Sequence, residues 1–167
     1  FAKFLGSKAK VTVYKRFGTA SFVRDNIRLE FATSRRESYS EDSRNPDVEP
    51  APFLEDMARR DFTINAMAID CIRPGEIIDP FNGRADLDAG ILRTPLEPVR
   101  TFRDDPLRIL RAVRFAARLN FGIDQDTWDG MKSEVQRLKI VARERINEEF
   151  FKTLGEDPPS RGLMFLH

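Results

Sequence analysis

Asp104-Asp105-Pro106-Leu107-Arg108-Ile109-Leu110-Arg111-Ala112-Val113-Arg114-Phe115-Ala116-Ala117-Arg118-Leu119 organises the reading of this chain. Proline lacks an N–H, and at the first helical position that N–H would go unpaired anyway. Pro106 therefore opens a helix and Asp105 stands as the cap before it. At about 100° per residue, Arg108, Arg111, Arg114 and Arg118 fall within a sector of roughly 120°. Leu107, Leu110 and Val113 flank them for burial. Arginines without a lysine on this face point to a binding surface rather than a solvated stripe, because the planar fork of guanidinium donors matches phosphate oxygens and base edges better than an ammonium does. The carboxylates at the helix start add base discrimination. Cytosine and adenine present an exocyclic amino donor beside a ring-nitrogen acceptor, which an Asp acceptor next to an Arg donor complements, whereas uracil and guanine present the reverse order. Asp105 acting only as a cap is the alternative reading.

Downstream, the pattern predicts two further helices, about Gln125 to Leu138 and about Ala142 to Leu154. Upstream, residues 11–34 read as a hairpin of Val11–Tyr14 and Ile27–Phe31, turned by Asp25-Asn26. Period-two alternation puts Ile27, Leu29 and Phe31 on one face and Arg28 and Glu30 on the other. Arg35 to Pro52 is polar and proline-bearing, a connection expected to be a functional loop or poorly ordered. Phe53 to Arg60 reads as a short helix, and Ala66 to Ile69 as an apolar strand that Arg73-Pro74-Gly75 turns back into Glu76–Asp79. The character becomes helical beyond Pro98. The expected architecture is α+β: residues 1–102 carry mostly antiparallel sheet with helices, and residues 103–167 an all-helical module.

Composition narrows the function classes. At 167 residues the chain holds one ordinary core or two small ones in contact. Lys and Arg total 28 against 27 Asp and Glu, a net charge of +1, so nucleic-acid binding must come from local patterning. The single cysteine, Cys71, cannot form an internal disulfide, and its apolar surroundings read as a buried strand end, which suits a reducing, cytoplasmic setting. The only histidine is the terminal His167, which excludes histidine metal clusters, Ser/His/Asp triads and a histidine base. No apolar run approaches the roughly 18 residues of a membrane span. The chain starts without methionine and ends in an apolar tail, so both ends are expected to be cuts in a longer protein.

Three more segments carry chemistry. Arg59-Arg60-Asp61-Phe62-Thr63-Ile64-Asn65-Ala66 clusters two cations, an anion and an amide where a helix meets a strand, with Asp61 either functional or simply a cap or ion-pair partner. Ile78-Asp79-Pro80-Phe81-Asn82-Gly83 is a turn. Glu30 is a strand carboxylate, either an ordinary exposed glutamate or one ligand of the metal centre that phosphoryl transfer needs. One carboxylate is too few to decide.

FGTASF, RLEFATSRRESYSEDSRNP, EDMARRDFTINAMAID, IDPFNGRADL, RDDPLRILRAVRFAARLNF and RERINEEFFKTL, in this order, resemble successive motifs of the class II CCA-adding enzyme and bacterial poly(A) polymerase family. The resemblance covers nearly the whole chain, and RRDFTINA and DDPLRILRAVRF are its most specific parts. It implies a partial nucleotidyltransferase-type head in residues 1–102 and a helical, nucleotide-selecting neck in residues 103–167. By the same resemblance Glu30 is the family's third active-site carboxylate, which is catalytic and a ligand of Mg2+. Arg60 and Asp61 meet the sugar and phosphates of the incoming nucleotide, and Asp79 and Gly83 belong to a flexible element between head and neck. Asp105 and Arg108 form the protein template that pairs with the base of CTP or ATP, and Arg111 and Arg114 are further nucleotide contacts. Ile146, Phe150 and Leu154 lie on a helix that braces the template helix.

The family also carries a glycine-rich turn and an Asp-x-Asp magnesium pair ahead of the FGTASF strand, and a body and tail that grip tRNA. None of these stands in the sequence, and Asp86-Leu87-Asp88, which follows DPFNG, is out of place for that pair. The implied activity of the intact protein is CCA addition: CMP and AMP from CTP and ATP joined to the tRNA 3′ end, with release of pyrophosphate. CC-adding, A-adding and poly(A) polymerase activities share these motifs. The alternative of another class is a catalytically inert nucleotide- or RNA-binding fragment, and the segment alone is expected to be inactive. The partners implied are the tRNA 3′ end, ATP and CTP, with no membrane.

Overall fold

The computed structural model describes residues 11–14, 18–24, 26–40, 43–73 and 75–166. The chain opens with a three-stranded antiparallel meander: β1 (Val11–Tyr14), β2 (Thr19–Arg24) and β3 (Ile27–Ala32), in the order β1-β2-β3. The two-strand hairpin expected for residues 11–34 is thus corrected. Thr19–Arg24, with β-branched Thr19 and Val23 and aromatic Phe22, forms a strand of its own between the outer two. Asn26, at φ 63°, makes the turn into β3; Asp25 lies outside the described residues. The alternation on β3 holds, since Leu29 faces Phe22 and Phe31 faces Ala20 across the pair, and the Phe22 and Phe31 rings stack at 5.9 Å.

Arg35 to Pro52 also departs from expectation. It is an antiparallel ribbon, β4 (Arg35–Ser40) paired with β5 (Ser43–Pro50), with a register irregularity between Ser38 and Ser40. Its composition is polar, and composition alone does not separate such a ribbon from a loop. Pro46 and Pro50 are tolerated because both strands of a two-stranded ribbon are edges.

Helix α1 (Phe53–Ala58) ends two residues before the expected Arg60, and a 3₁₀ turn, Thr63–Asn65, follows. The strand expected from Ala66 to Ile69 is shorter, β6 (Ala68–Ile69), paired antiparallel with β7 (Ile77–Ile78). Cys71 lies beyond the end of β6 and is exposed, not buried as its apolar neighbours implied. Helix α2 (Gly83–Ala89) was missed in the turn-like DPFNG stretch. The Asp79 carboxylate caps it, accepting from the N–H of Gly83 at 2.7 Å and of Arg84 at 2.9 Å.

Strand β8 (Ile91–Leu92) leads to α3 (Pro98–Asp104), which Glu97 caps by accepting from the N–H groups of Val99 and Arg100. The arginine-rich helix, α4 (Leu107–Leu119), starts one residue after the expected Pro106 and stops at Asn120, in the left-handed region. Strand β9 (Gly122–Ile123) pairs in parallel with β8, a small exception to an otherwise helical second half. Helix α5 (Gln125–Glu134) runs into a 3₁₀ segment, Val135–Ile140, so the helix expected through Leu138 changes pitch near its end. Helices α6 (Arg143–Leu154) and α7 (Pro159–Leu166) complete the chain. Among the described residues no helix is long and apolar enough to cross a membrane.

One core serves both halves. Phe62 and Leu92 pack with Phe102, Ile109, Ala112, Val113, Ala116 and Met131, all buried. Residue 102, the expected boundary between the halves, lies inside α3 with its side chain in that shared core.

Gly83 shows how tightly DPFNG packs on RRDFTINA: a Cβ built there would sit 2.2 Å from the Thr63 carbonyl oxygen, a backbone atom that cannot swing away. Gly83→Ala is expected to lower stability by about 1–3 kcal/mol through overpacking, measured as a shift in urea midpoint at unchanged slope.

Candidate functional site

The two most specific motifs of the sequence meet in space. Asp61, at the end of the short link from α1, is buried, and its two carboxylate oxygens take different donors. One accepts from the N–H of Phe62 at 2.9 Å and from Asn65 Nδ2 at 3.0 Å. The other accepts from Arg111 Nε at 2.9 Å and Nη2 at 2.6 Å. The two guanidinium donors make the pair charge-assisted as well as directional. Arg111 reaches Asp61 because it lies one turn into α4 on the face turned toward the RRDFTINA corner.

The same face carries the other predicted arginines, and the structure corrects the view of it as four available guanidiniums. Only Arg118 is exposed. Arg108 is buried and donates from Nη1 to the Thr101 carbonyl at 3.3 Å and from Nη2 to the Arg59 carbonyl at 2.7 Å. Two of its five N–H donors are thereby engaged. Arg114 is buried and donates from Nε to Glu149 Oε2 at 2.7 Å. Arg111 and Arg114 lie against the same ring, their guanidinium carbons 5.3 and 4.4 Å from the Phe115 centroid. Helical periodicity identified the shared face correctly; it carries no information on what packs against that face.

Asp105 is half-buried at the entry to α4. Its carboxylate accepts weakly from the Leu107 N–H at 3.3 Å and its carbonyl from the Arg108 N–H at 3.0 Å. The cap reading holds, and the cap places Asp105 and Arg108 on one helical turn. Burial pushes the neighbouring Asp104 carboxyl up, and the surrounding Arg100, Arg108, Arg103 and Arg137 charges do not fully offset it. Arg60 is exposed, 3.6 Å from Asp56.

Glu30 is apart from this cluster in the secondary structure, on β3 and directly across from Ser21. It is exposed, 3.9 Å from Arg28, and lines a pocket of about 170 Å³ with Tyr14, Thr19 and Ser21. One carboxylate with neutral hydroxyls does not make a divalent-cation site, and among the described residues no group of three His, Cys, Asp or Glu gathers that could hold a metal. Asp86 and Asp88 are also spent elsewhere. Asp86 accepts from Thr63 Oγ1 at 2.7 Å and from Arg93, and Asp88 pairs with Arg84. Asp79 and Gly83 form the α2 cap and the close approach to Thr63 described above.

The brace on α4 differs from the expected apolar one. Ile146 packs with Leu107, Leu110 and Val141, but Phe150 keeps about a third of its surface in solvent (37% exposed), and the buried α6 positions are Glu149 and Thr153. A glutamate inside EEFF gives no sign by itself of being buried; the signal would have been an unpartnered arginine, Arg114, on the facing helix. Also missed was Asp56, a buried carboxylate on α1. Burial pushes it up, but the Arg59 hydrogen bond, the Arg35 N–H and the Arg59 and Arg60 charges outweigh burial and hold it below its ordinary value.

With this geometry in view, comparison with known proteins is decisive. The model of the "Poly A polymerase head domain" family matches residues 2–93, more than half of the chain. The chain belongs to that family. A second model, described as "Probable RNA and SrmB- binding site of polymerase A", matches residues 120–167. The A-adding tRNA nucleotidyltransferase of Aquifex aeolicus (strain VF5) is 45% identical over 93% of this chain and 19% of its own length. The CCA-adding enzyme of Lactobacillus helveticus (strain DPC 4571) is 41% identical over 87% of this chain and 36% of its own. The crystal structure of a tRNA nucleotidyltransferase complexed with a primer tRNA and an incoming ATP analog superposes with a TM-score of 0.80 at 40% identity, covering 99% of this chain and 46% of that one. The chain thus spans less than half the length of each of these relatives.

Two outcomes test the site's energetics. Glu149→Ala leaves the buried Arg114 charge unpaired and is expected to cost about 3–5 kcal/mol, whereas the double variant Glu149→Leu/Arg114→Met recovers most of that loss in urea unfolding. The depressed Asp56 stabilises the fold above the ordinary carboxylate pKa, and this contribution is lost as pH falls through its lowered value. Asp56→Asn is therefore expected to reduce the difference in unfolding free energy between pH 7 and pH 3.

Proposed function

We propose that the protein to which these residues belong adds CMP and AMP from CTP and ATP to the 3′ end of tRNA. In this reaction the terminal 3′-hydroxyl attacks the α-phosphorus of the nucleotide, the new P–O bond forms, the bond to the departing phosphates breaks, pyrophosphate leaves and the hydroxyl proton is released. The observation that carries the reading is the Asp61–Arg111 pair, which joins RRDFTINA to DDPLRILRAVRF in a single polar cluster. The relatives named for CCA and A addition support it.

The roles divide between a head through about residue 102 and a neck from residue 103 onward. Asp105 and Arg108 select the base through one acceptor and one donor, Arg108 using the N–H groups that the two carbonyls leave over. Arg60 and Arg111 meet the sugar and phosphates, and Asp61, whose oxygens already take four donors, holds Arg111 in place for that contact. Arg114, held by Glu149, supports Arg111 through the shared Phe115 ring. Asp79 and Gly83, which cap α2 and pack it on Thr63 within the head, belong to the element through which head and neck shift between additions. Nucleotidyl transfer of this kind generally uses divalent metals, which stabilise the charge that builds on the departing phosphates, and Glu30 would supply one carboxylate ligand to Mg2+. The proposed setting is the cytoplasm, where tRNA is matured.

A-adding activity is the second reading, favoured by the A-adding relative. The full-length protein, given tRNA lacking its 3′ CCA and one nucleotide at a time, is expected to add C residues from CTP and then a single A from ATP. Addition of A only to tRNA already ending in CC would establish the A-adding reading, and ATP-driven homopolymer growth would sink both. Arg108→Ala is expected to weaken CTP and ATP binding by about 1–3 kcal/mol, read by equilibrium titration. The 167-residue segment alone is expected to add no nucleotide.

A further inference from the structure

Base selection by Arg108 requires a fixed guanidinium, because the angle of its donors decides which base edge they fit. One of its two anchors, the Arg59 carbonyl, belongs to a residue whose side chain is separately tied down. Arg59 donates to Asp56 Oδ1 from Nη2 at 2.6 Å and from Nε at 3.2 Å, and its Nε also lies 3.0 Å from the Arg35 carbonyl. The same Asp56 oxygen accepts the Arg35 N–H at 3.1 Å. Arg35 is the first residue of the β4–β5 ribbon, so Asp56 and Arg59 together grip both backbone groups of the residue where that ribbon leaves the body. Arg59 also ends α1, its N–H donating to the Glu55 carbonyl at 3.2 Å. Its main chain and side chain are therefore fixed at once. The 2.7 Å bond from Arg108 Nη2 falls on the carbonyl of this locked residue.

We infer that Asp56 is a positioning residue for base selection: its clamp on Arg59 and on the root of the β4–β5 ribbon holds the Arg59 carbonyl where it aims the Arg108 guanidinium. The inference rests on the proposed role of Arg108. Asp56 touches no nucleotide in this scheme. Without the clamp, Arg108 keeps its longer 3.3 Å bond to the Thr101 carbonyl and loses a defined second anchor. Its donors then sample orientations that accept the wrong base as well as the right one. The consequence is a loss of discrimination larger than the loss of rate.

The test compares incorporation of CTP and ATP with that of UTP and GTP by the full-length protein on tRNA lacking its 3′ end. Asp56→Asn keeps the size but removes the charge, and Arg59→Lys keeps a cation but loses the fork. Each is expected to lower the ratio of correct to incorrect kcat/KM by roughly five- to tenfold, within what one base contact provides, while kcat with CTP falls less. Arg36→Ala, which breaks the exposed Arg36–Glu49 pair on the ribbon without touching the Asp56–Arg59 clamp, is expected to leave the ratio unchanged. If Asp56→Asn and Arg59→Lys melt near the wild type and still reject UTP and GTP as well as it does, the inference is overturned. If both are unfolded at the assay temperature, Asp56 is a stability residue and the inference is likewise overturned. A wild-type protein that takes all four nucleotides alike would instead bring down the reading of Arg108, an outcome seen before any variant is made.

Discussion

The Asp61 carboxylate, buried and saturated by four donors, is the constraint on which the rest of the arrangement depends. A charge removed from water is tolerated only where its lone pairs are filled and a counter-charge is close. Here the fill comes from two directions: the chain just after Asp61 supplies the Phe62 N–H and the Asn65 amide, and α4 supplies Arg111. The corner of RRDFTINA therefore has one position relative to the arginine-rich helix. Once Arg111 is placed, helical spacing fixes where Arg108 and Arg114 emerge, one turn to either side. Arg108 meets the carbonyls of Arg59 and Thr101, and Arg114 meets Glu149.

What the sequence revealed depended on how local the governing physics was. Helices α4 and α6 were legible almost to the residue, because Pro106 opens the first and apolar periodicity carries both. Helix α2 was not, since Asp79-Pro80-Phe81-Asn82-Gly83 reads as a turn and becomes a helix start only through the Asp79 cap and the packing of Gly83 on Thr63. The ribbon from Arg35 to Pro50 was hidden for the opposite reason: cross-strand pairing stabilises it, with no hydrophobic alternation to announce it. Strand β2 carries its own β-branched and aromatic residues in Thr19–Arg24, but sequence spacing alone does not tell a three-stranded meander from a hairpin of the outer strands.

The candidate site shows the same division. Which arginines share a face is a matter of 3.6-residue geometry and needs no structure. Whether that face meets water, a carbonyl or a carboxylate depends on residues up to 50 positions away, such as Asp61 for Arg111. The buried polar partners Asp56 and Glu149 were invisible because each stands among other acidic and exposed residues, in LEDMA and NEEFF, where nothing local tells one carboxylate from the next. Glu30 is the reverse case. Its strand and its facing were both read correctly, yet neither says which further ligands would stand beside it.

The two-residue parallel pairing of Ile91–Leu92 with Gly122–Ile123 bears on how such a molecule can be divided. It stitches the end of one half to a point beyond the arginine helix of the other, so α3 and α4 hang as a closed loop between stitched ends. Cutting the chain near residue 102 to obtain two independent pieces would strip Phe102, Leu92 and Phe62 of their common surroundings and leave a raw strand edge on each piece. The proposed division of roles and the packing do not coincide, because one core and one strand pairing span both halves.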